Sequence, residues 1–158
     1  MSTSTQAPGG KTNAERRFSY YECMFLLSQA QAADFAGAIA HINEIFSRGQ
    51  AEVVAMRKWD ERRLAYEIGG NKRGVYILAY IKAPNDQLGH IERDCRLSEK
   101  ILRSMILKQE NMTLEQMQAA DGRKDLETEA KLRAERAANP QAEAAQPAAT
   151  SEPAPENA

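Results

Sequence analysis

Arginine and lysine are concentrated in one short stretch near the middle of the chain. Guanidinium groups match the geometry of phosphate oxygens and bind them through paired hydrogen bonds. Such a density of cations therefore indicates a surface for a polyanion such as a nucleic acid, while an ordinary solvated surface remains the other explanation. Within 17 residues the sequence places Arg57, Lys58, Arg62, Arg63, Lys72 and Arg73 against the three acids Asp60, Glu61 and Glu67.

The formal net charge of -1 conceals a division along the chain. Residues 1–109 hold 16 Lys and Arg against 12 Asp and Glu, whereas residues 110–158 hold 5 against 10. The first part is mildly basic and the second is acidic. A mildly basic domain fits a polyanionic partner without requiring one.

Motifs for catalysis or metal binding are incomplete in this sequence. Residues 9–12, Gly-Gly-Lys-Thr, resemble the end of a phosphate-binding loop, but Thr5 stands where that motif needs glycine. His41 and Glu44 lie three apart on a predicted helix, yet the sequence suggests no third ligand for a metal. Without a nucleophile–base pair or a carboxylate pair, no catalytic residue, metal site or cofactor is predicted.

The first predicted elements are a strand and a helix. Residues 18–27, FSYYECMFLL, are almost continuously apolar, which favours a central β-strand. Ser28 has the spacing of a helix N-cap, and Arg48 and Gly49 end the helix with a cation and a residue that tolerates positive φ. The helix carries one apolar stripe, formed by Phe35, Ile39, Ile42 and Phe46.

A hairpin, a second helix and a last strand follow. Residues 51–68 alternate as one long, bent strand, and residues 74–81 form its partner after a Gly-Gly-Asn-Lys-Arg-Gly turn. Pro84 is expected to open the second helix, and residues 101–108 the last strand. This order is the ferredoxin-like βαββαβ arrangement, an α+β fold with two helices on one face of a four-stranded antiparallel sheet.

Composition limits the folded domain to the middle of the chain. All ten aromatic residues lie between Phe18 and Tyr80. We expect a flexible N-terminal arm at 1–16, a domain at 17–110 and an Ala/Glu/Pro-rich tail at 111–158 that is partly helical or disordered. The tail lacks a sustained apolar stripe, so it is expected to bury little surface.

The cysteines and the N-terminal residues indicate the cellular compartment. Cys23 and Cys95 form no Cys-x-x-Cys pair and are interpreted as small buried hydrophobic residues of a reducing compartment. The first ten residues show no secretory signal, and no apolar run approaches the 18 or so residues of a membrane span. The cytoplasm is therefore the expected location.

The strand at 74–81 is apolar on both of its sides. Two helices can cover only one face of a sheet, so a second apolar side predicts a docking surface for a partner protein. A modest exposed patch is the alternative. We assign Tyr76, Leu78 and Tyr80 to this partner-protein face, although the sequence does not decide which face meets the partner.

Residues 73–80, RGVYILAY, resemble the third-strand signature of single-stranded RNA readers. Those domains stack bases on aromatic residues at the third and fifth positions, where this chain has Val75 and Ile77. We expect Tyr76 and Tyr80, on the opposite side of the strand, to serve packing. A free-standing RNA-binding module of the RNA-recognition-motif type is therefore the alternative function.

Three stretches carry a stronger resemblance, which runs from about residue 18 to residue 110. They are Tyr21-Glu22 in the first strand, Arg62-Arg63-Leu64-Ala65-Tyr66 with Ile68 in the hairpin, and Arg96-Leu97 followed by Ile101-Leu102-Arg103. Together they resemble the bacterial small-ribosomal-subunit protein six family. Asp60 and Glu67 depart from that family, which often has glycine and proline there.

This resemblance implies a noncatalytic component of the small ribosomal subunit. It would bind small-subunit (16S) ribosomal RNA together with small-subunit protein eighteen, which would account for both the cations and the second apolar face. Arg63 could instead pair with Glu52 or Glu61 as a structural residue. The residues expected to contact RNA are Arg62, Arg63, Lys72, Arg73, Arg96, Lys100 and Arg103.

Overall fold

The computed structural model of the chain describes residues 16–139. The predicted N-terminal arm up to residue 15, including the Gly-Gly-Lys-Thr motif, and the predicted disorder beyond Asn139 lie outside the described residues. The elements are β1 (Phe18–Ser28), α1 (Gln29–Ala33), α2 (Phe35–Arg48), β2 (Glu52–Ile68), β3 (Asn71–Pro84), α3 (Leu88–Leu97), β4 (Arg103–Lys108), α4 (Leu114–Ala119) and α5 (Arg123–Ala138).

The four strands form one antiparallel sheet in the order β2-β3-β1-β4. The predicted ferredoxin-like fold is confirmed. The strand β1 is central, as its continuous apolar sequence indicated, and Phe25 from this strand packs edge-to-face on Phe46 of α2, with ring centroids 5.7 Å apart. Cys23 and Cys95 are free and buried, as predicted, and burial raises the pKa of both thiols.

The helix that was predicted to follow β1 is divided in two. Ser28 caps the first part, because its Oγ accepts a hydrogen bond from the Gln31 N–H at 3.1 Å. Asp34 then interrupts the helix and caps α2 by accepting from the Gly37 N–H at 3.2 Å. The buried side chains of α2 then pack on the sheet.

Gly49 ends α2 for a reason other than the one expected. Its φ is -80°, and the positive φ falls on Gln50 at 54°. A Cβ on Gly49 would lie 2.2 Å from Cγ1 of the buried Ile91, so glycine here permits close packing of α2 on α3.

Two boundaries around β3 also differ from the prediction. The strand begins at Asn71, so the turn consists only of Gly69 and Gly70, whose φ values of 54° and 78° suit a two-residue hairpin turn that requires glycine. The strand continues to Pro84, and α3 begins at Leu88. Pro84 therefore ends a strand instead of opening a helix.

The helices α4 and α5 follow the domain in sequence and pack against it. Met117 of α4 is 1% exposed and Leu126 of α5 is 4% exposed. The expectation that this part of the tail buries little is therefore wrong. None of the helices within residues 16–139 has the length and apolar character needed to cross a membrane.

Candidate nucleic-acid interface

The register of the strands brings five of the seven predicted RNA-contacting cations to one end of the sheet, and Arg96 and Lys100 shortly precede β4 in the sequence. Leu26, near the end of β1, pairs with Tyr76 on one side and with Arg103 on the other. Gly74 of β3 pairs with Arg62 of β2, so the hairpin tip and the start of β4 lie at this same end. We call it the basic end, defined by Arg62, Arg63, Lys72, Arg73, Arg96, Lys100 and Arg103.

Arg63 and Arg73 occupy directly opposite positions in the β2–β3 ladder. Both are exposed, and neither has a carboxylate partner among residues 16–139. The suggested pairing of Arg63 with Glu61 is not formed, because Glu61 binds other cations. Nor is the pairing with Glu52, which lies at the opposite end of β2 beside Lys82. Two like charges thus face each other across strands, which is unfavourable unless an anion lies between them.

Arg62 and Lys72 are partly compensated by nearby acids. Arg62 donates from Nε to Asp60 Oδ2 at 2.7 Å, and this hydrogen bond holds the pKa of the Asp60 carboxyl below its usual value. The Arg62 guanidinium also lies 4.9 Å from the centre of the Trp59 ring. Lys72 approaches Glu67 at 3.7 Å. These two cations are therefore the less available members of the basic end.

Arg103 lines two depressions in the surface. It donates from Nη1 to Tyr66 Oη at 2.8 Å, so the hairpin tip contacts the start of β4. A cleft of about 410 Å³ between α3 and β4 is lined by Arg96 and Arg103. On the opposite side of β4, Arg103 borders an apolar groove of about 380 Å³ that includes Tyr76. The geometry places guanidinium groups beside both depressions.

The predicted partner-protein face is partly covered by the chain itself. Leu78 and Tyr80 are 4% and 6% exposed, but they pack with Met117 of α4 on the sheet face opposite α2 and α3. Tyr76 remains half-buried beside Trp59, with ring centroids 5.6 Å apart. Part of this face is thus occupied within the chain, and part stays open.

A local sequence signal for α4 was present. Thr113 and Gln116 form a complete capping box, in which Thr113 Oγ1 accepts from the Gln116 N–H at 3.3 Å and Gln116 Oε1 accepts from the Thr113 N–H at 2.9 Å. The T-x-x-Q spacing predicts a helix start at this position. It does not predict where the helix packs.

An ion-pair cluster between β2 and α5 was missed by the sequence reasoning. Lys58 Nζ donates to Glu61 at 3.0 Å and to Glu129 at 2.8 Å, and Arg133 contacts the same two carboxylates. Burial acts to raise the pKa of Glu61 and Glu129, but hydrogen bonds from Lys58 and Arg133 outweigh it and lower the pKa of both. Lys58 therefore holds α5 and is not a free cation.

His41 and Glu44, for which the sequence suggested no third metal ligand, make ordinary polar contacts. His41 Nε2 lies 2.7 Å from Ser98 Oγ, and its Nδ1 lies 4.0 Å from Glu44. Over the part of the chain that the structure describes, no three His, Cys, Asp or Glu side chains are grouped so that they could hold a metal ion.

The sequence model of the family described as Ribosomal protein S6 matches residues 20–108, which is more than half of the chain. The chain belongs to the ribosomal protein S6 family. The resemblance found in the sequence is confirmed. Membership in this family identifies the chain as a structural ribosomal protein.

Curated relatives of the S6 family cover the same domain. Small ribosomal subunit protein bS6 of Campylobacter jejuni (strain RM1221) is 31% identical over 93 residues, which cover 58% of this chain and 74% of the relative. The protein of the same name from Helicobacter hepaticus (strain ATCC 51449 / 3B1) is 32% identical over 93 residues, covering 58% of this chain and 68% of the relative.

A solved S6 structure supports the fold. The 30S ribosomal protein S6 from Thermotoga maritima aligns with a TM-score of 0.51 and 18% identity, covering 76% of this chain and 100% of that chain. At this identity the likeness shows the ferredoxin-like fold alone.

Proposed function

We propose that this chain binds small-subunit (16S) ribosomal RNA through the basic end of its sheet, together with small-subunit ribosomal protein eighteen. It acts there as a noncatalytic component of the small subunit in the cytoplasm. The observation that supports the proposal best is the position of Arg63 directly opposite Arg73. Such a pair costs about 0.2–1 kcal/mol of folding stability, and a phosphate group between the two guanidinium groups would offset that cost.

The contacts proposed for the basic end are with the RNA backbone. Arg63, Arg73 and Arg103 are exposed, and no acid pairs with them within residues 16–139. Arginine forks bind phosphate oxygens in pairs, which fixes the position of folded RNA without reading its sequence. Arg96, which shares the cleft beside Arg103, extends this surface onto α3.

The alternative of a base-stacking RNA reader finds no support in β3. Val75 and Ile77 occupy the strand positions where such domains carry stacking aromatics, and both side chains are completely buried in the core beneath the helices. A base could not reach either position without unfolding the domain. Recognition through phosphates fits the surface better.

The proposal is tested by filter binding of the chain to a transcript of the central domain of 16S RNA, at about 50 mM and about 200 mM monovalent salt. If at least three phosphates are contacted, affinity should fall by roughly 40-fold or more between these conditions. A short single-stranded oligonucleotide should bind far less, and protein eighteen should strengthen binding to the transcript. Salt-independent binding, or a preference for the oligonucleotide, would count against the proposal.

A further inference from the structure

The apolar groove beside Arg103 opens at the basic end of the sheet and has a volume of about 380 Å³. Leu26 pairs with Tyr76 on one side and with Arg103 on the other, so these three side chains lie on the same face. The β2–β3 hairpin contributes a further wall, which includes Tyr66. The volume falls within the range of about 300–1,000 Å³ that is typical of small-ligand sites.

The lining of the groove combines aromatic and apolar surface with one cation. The rings of Tyr66 and Tyr76 come from the two strands of the hairpin, and Met24 and Met105 add apolar surface from β1 and β4. Arg103 is the one cation in the lining, which holds no acid from residues 16–139. Aromatic rings favour a flat occupant, and a guanidinium group favours an anion. The expected occupant therefore carries a flat apolar group next to a negative charge.

Tyr66 is held in place by Arg103 although its side chain is largely open to solvent. The residue is 60% exposed, so burial does not explain the position of its ring. Its Oη accepts a hydrogen bond from Arg103 Nη1 at 2.8 Å, and the guanidinium carbon of Arg103 lies 5.4 Å from the centre of the ring. An aromatic ring that is positioned in advance and remains accessible at a basic surface suits the stacking of an unpaired base.

An apolar groove alone would also suit a protein side chain, so the surrounding charge decides between the two occupants. Arg103 lines both this groove and the cleft that it shares with Arg96. A strand of RNA whose phosphates lie along the basic end would thus bring its bases to the mouth of the groove. A nucleotide satisfies both the apolar lining and the cation, whereas an apolar protein side chain would leave Arg103 without an anion.

We propose that this groove is a nucleobase site, in which one unpaired base of the ribosomal RNA packs against the rings of Tyr66 and Tyr76 while Arg103 binds the adjoining phosphate. The site rests on the proposed function, because the RNA bound at the basic end supplies the base. It adds a contact that does not depend on charge to a surface that otherwise binds phosphates. Because every base has a flat face that can stack, the site anchors the strand and does not read its sequence.

The first test measures filter binding of three full-length chains, the wild type, Tyr66→Ala and Tyr66→Phe, to the transcript of the 16S central domain. Tyr66→Ala should weaken binding by roughly 5-fold to 100-fold, as expected for the loss of one base–aromatic stack, and should leave the salt slope unchanged. Tyr66→Phe keeps the ring and removes the hydroxyl that binds Arg103, so it should retain most of the affinity. Equal losses from the two variants would show that Tyr66 only positions Arg103, which would overturn the inference.

Phe18→Ala is the matched control for Tyr66→Ala. Phe18 is also an exposed aromatic residue, at 44%, but it lies at the opposite end of the sheet, where it pairs with Pro84. Its loss should leave the affinity unchanged, and a loss equal to that of Tyr66→Ala would overturn the inference. If Tyr66→Ala binds as tightly as the wild type, the nucleobase site fails while the phosphate contacts of the proposed function stand. If the wild type does not bind the transcript, the proposed function fails and the nucleobase site fails with it.

Methionine methyl NMR of the full-length chain identifies the occupant directly. Met24 and Met105 line the groove, whereas Met56 lies in the main core and serves as the internal control. Adenosine monophosphate should shift the methyl signals of Met24 and Met105 and leave that of Met56 unchanged, and ribose 5-phosphate, which lacks the base, should shift none of them. Equal shifts from both compounds would mean that the site binds phosphate alone. That result would overturn the inference, as would shifts caused by purified protein eighteen but not by adenosine monophosphate, because a protein would then occupy the groove.

Discussion

Arg63 and Arg73 face each other across the β2–β3 hairpin, and no carboxylate within residues 16–139 neutralises either of them. The folded chain retains an unfavourable contact that a neutral residue at either position would remove. A contact that costs stability and lies in an exposed, basic surface is expected to have a role in binding. The surrounding cations Arg96 and Arg103 lie at the same end of the sheet.

The double variant Arg63→Gln/Arg73→Gln should therefore lose RNA affinity without losing stability. The free energy of unfolding should stay the same or rise by up to about 1 kcal/mol, because the repulsion is removed. The affinity for the 16S transcript should fall, and the slope of log affinity against log salt should become shallower by up to about 2. Urea denaturation and filter binding measure the two effects.

Arg48→Gln is the matched control for this double variant. Arg48 is also an exposed arginine, but it lies at the end of α2 and already contacts Glu44 at 3.7 Å and Asp94 at 3.5 Å. Its loss should change neither the affinity nor the salt slope. A loss of log affinity from Arg48→Gln about half as large as that from the double variant, in proportion to the charge removed, would mean that net charge, rather than the basic end, determines binding.

The basic end could be predicted because its determinants are local. The FSYYECMFLL run marks a central strand, and once β1 is central in a ferredoxin-like order, the hairpin tip and the start of β4 must lie at one end. The exact opposition of Arg63 and Arg73 could not be predicted. It depends on irregular pairing in β2. From the pair of Ile68 with Asn71, an unbroken ladder would place Tyr66 opposite Arg73, but the register shifts between Arg63 and Ile68.

The position of α4 and α5 could not be predicted for a different reason. Their buried side chains Met117 and Leu126 are nine residues apart and form no helical stripe, so the sequence lacks the periodic pattern that normally indicates packing. The ion pairs that hold α5 join β2 to residues about seventy positions away, such as Lys58 to Glu129. Only the folded chain brings these groups together.

Leu126→Ala should destabilise the whole domain, although Leu126 lies outside the part of the chain that matches the S6 family. Its side chain is buried in the main core, so truncation should cost about 2–4 kcal/mol and lower the denaturation midpoint. Leu132→Ala, on the same helix but 49% exposed, should change stability by less than about 0.5 kcal/mol. Urea denaturation followed by the fluorescence of Trp59 measures both variants, and a neutral Leu126→Ala would show that α5 does not pack stably.

Glu129→Gln should make stability less dependent on pH in the acidic range. Burial acts to raise the pKa of Glu129, but the hydrogen bonds from Lys58 and Arg133 lower it below its usual 4.5. Because the folded pKa is depressed, the stabilisation is present above pH 4.5 and is lost as the pH falls through the folded pKa. The wild type should exceed the variant in stability by about 1 kcal/mol or less at pH 7, and the difference should shrink as the pH falls below 4.5 and through the folded pKa.

Chemical denaturation at several pH values measures this effect. Glu127→Gln is the control, since Glu127 is exposed on the same helix and has no ion pair within residues 16–139. A stability difference between wild type and Glu129→Gln that persists at low pH would show that packing, rather than charge, is responsible.

Asp121 binds the outer edge of the sheet. Two substitutions at this position distinguish the contribution of its hydrogen bond from that of its charge. The β2 strand is an edge strand, and its Met56 N–H donates to Asp121 Oδ1 at 3.1 Å while the Met56 carbonyl accepts from the Gly122 N–H at 3.0 Å. Asp121→Ala would leave the buried Met56 N–H without an acceptor, at a cost of about 1–2 kcal/mol. It would also leave a strand edge open to pairing with a second chain.

Asp121→Asn retains a side-chain oxygen that can accept from Met56, so it should lose clearly less stability than Asp121→Ala. Denaturation experiments measure the cost, and sedimentation at increasing protein concentration measures self-association, which is expected for the alanine variant only. If the two variants lose the same stability, the negative charge near Arg123, which lies 2.8 Å from Asp121, holds the junction instead of the Met56 hydrogen bond. In that case the Asp121–Arg123 ion pair would stabilise the start of α5, and the stability of this junction should fall as salt is added.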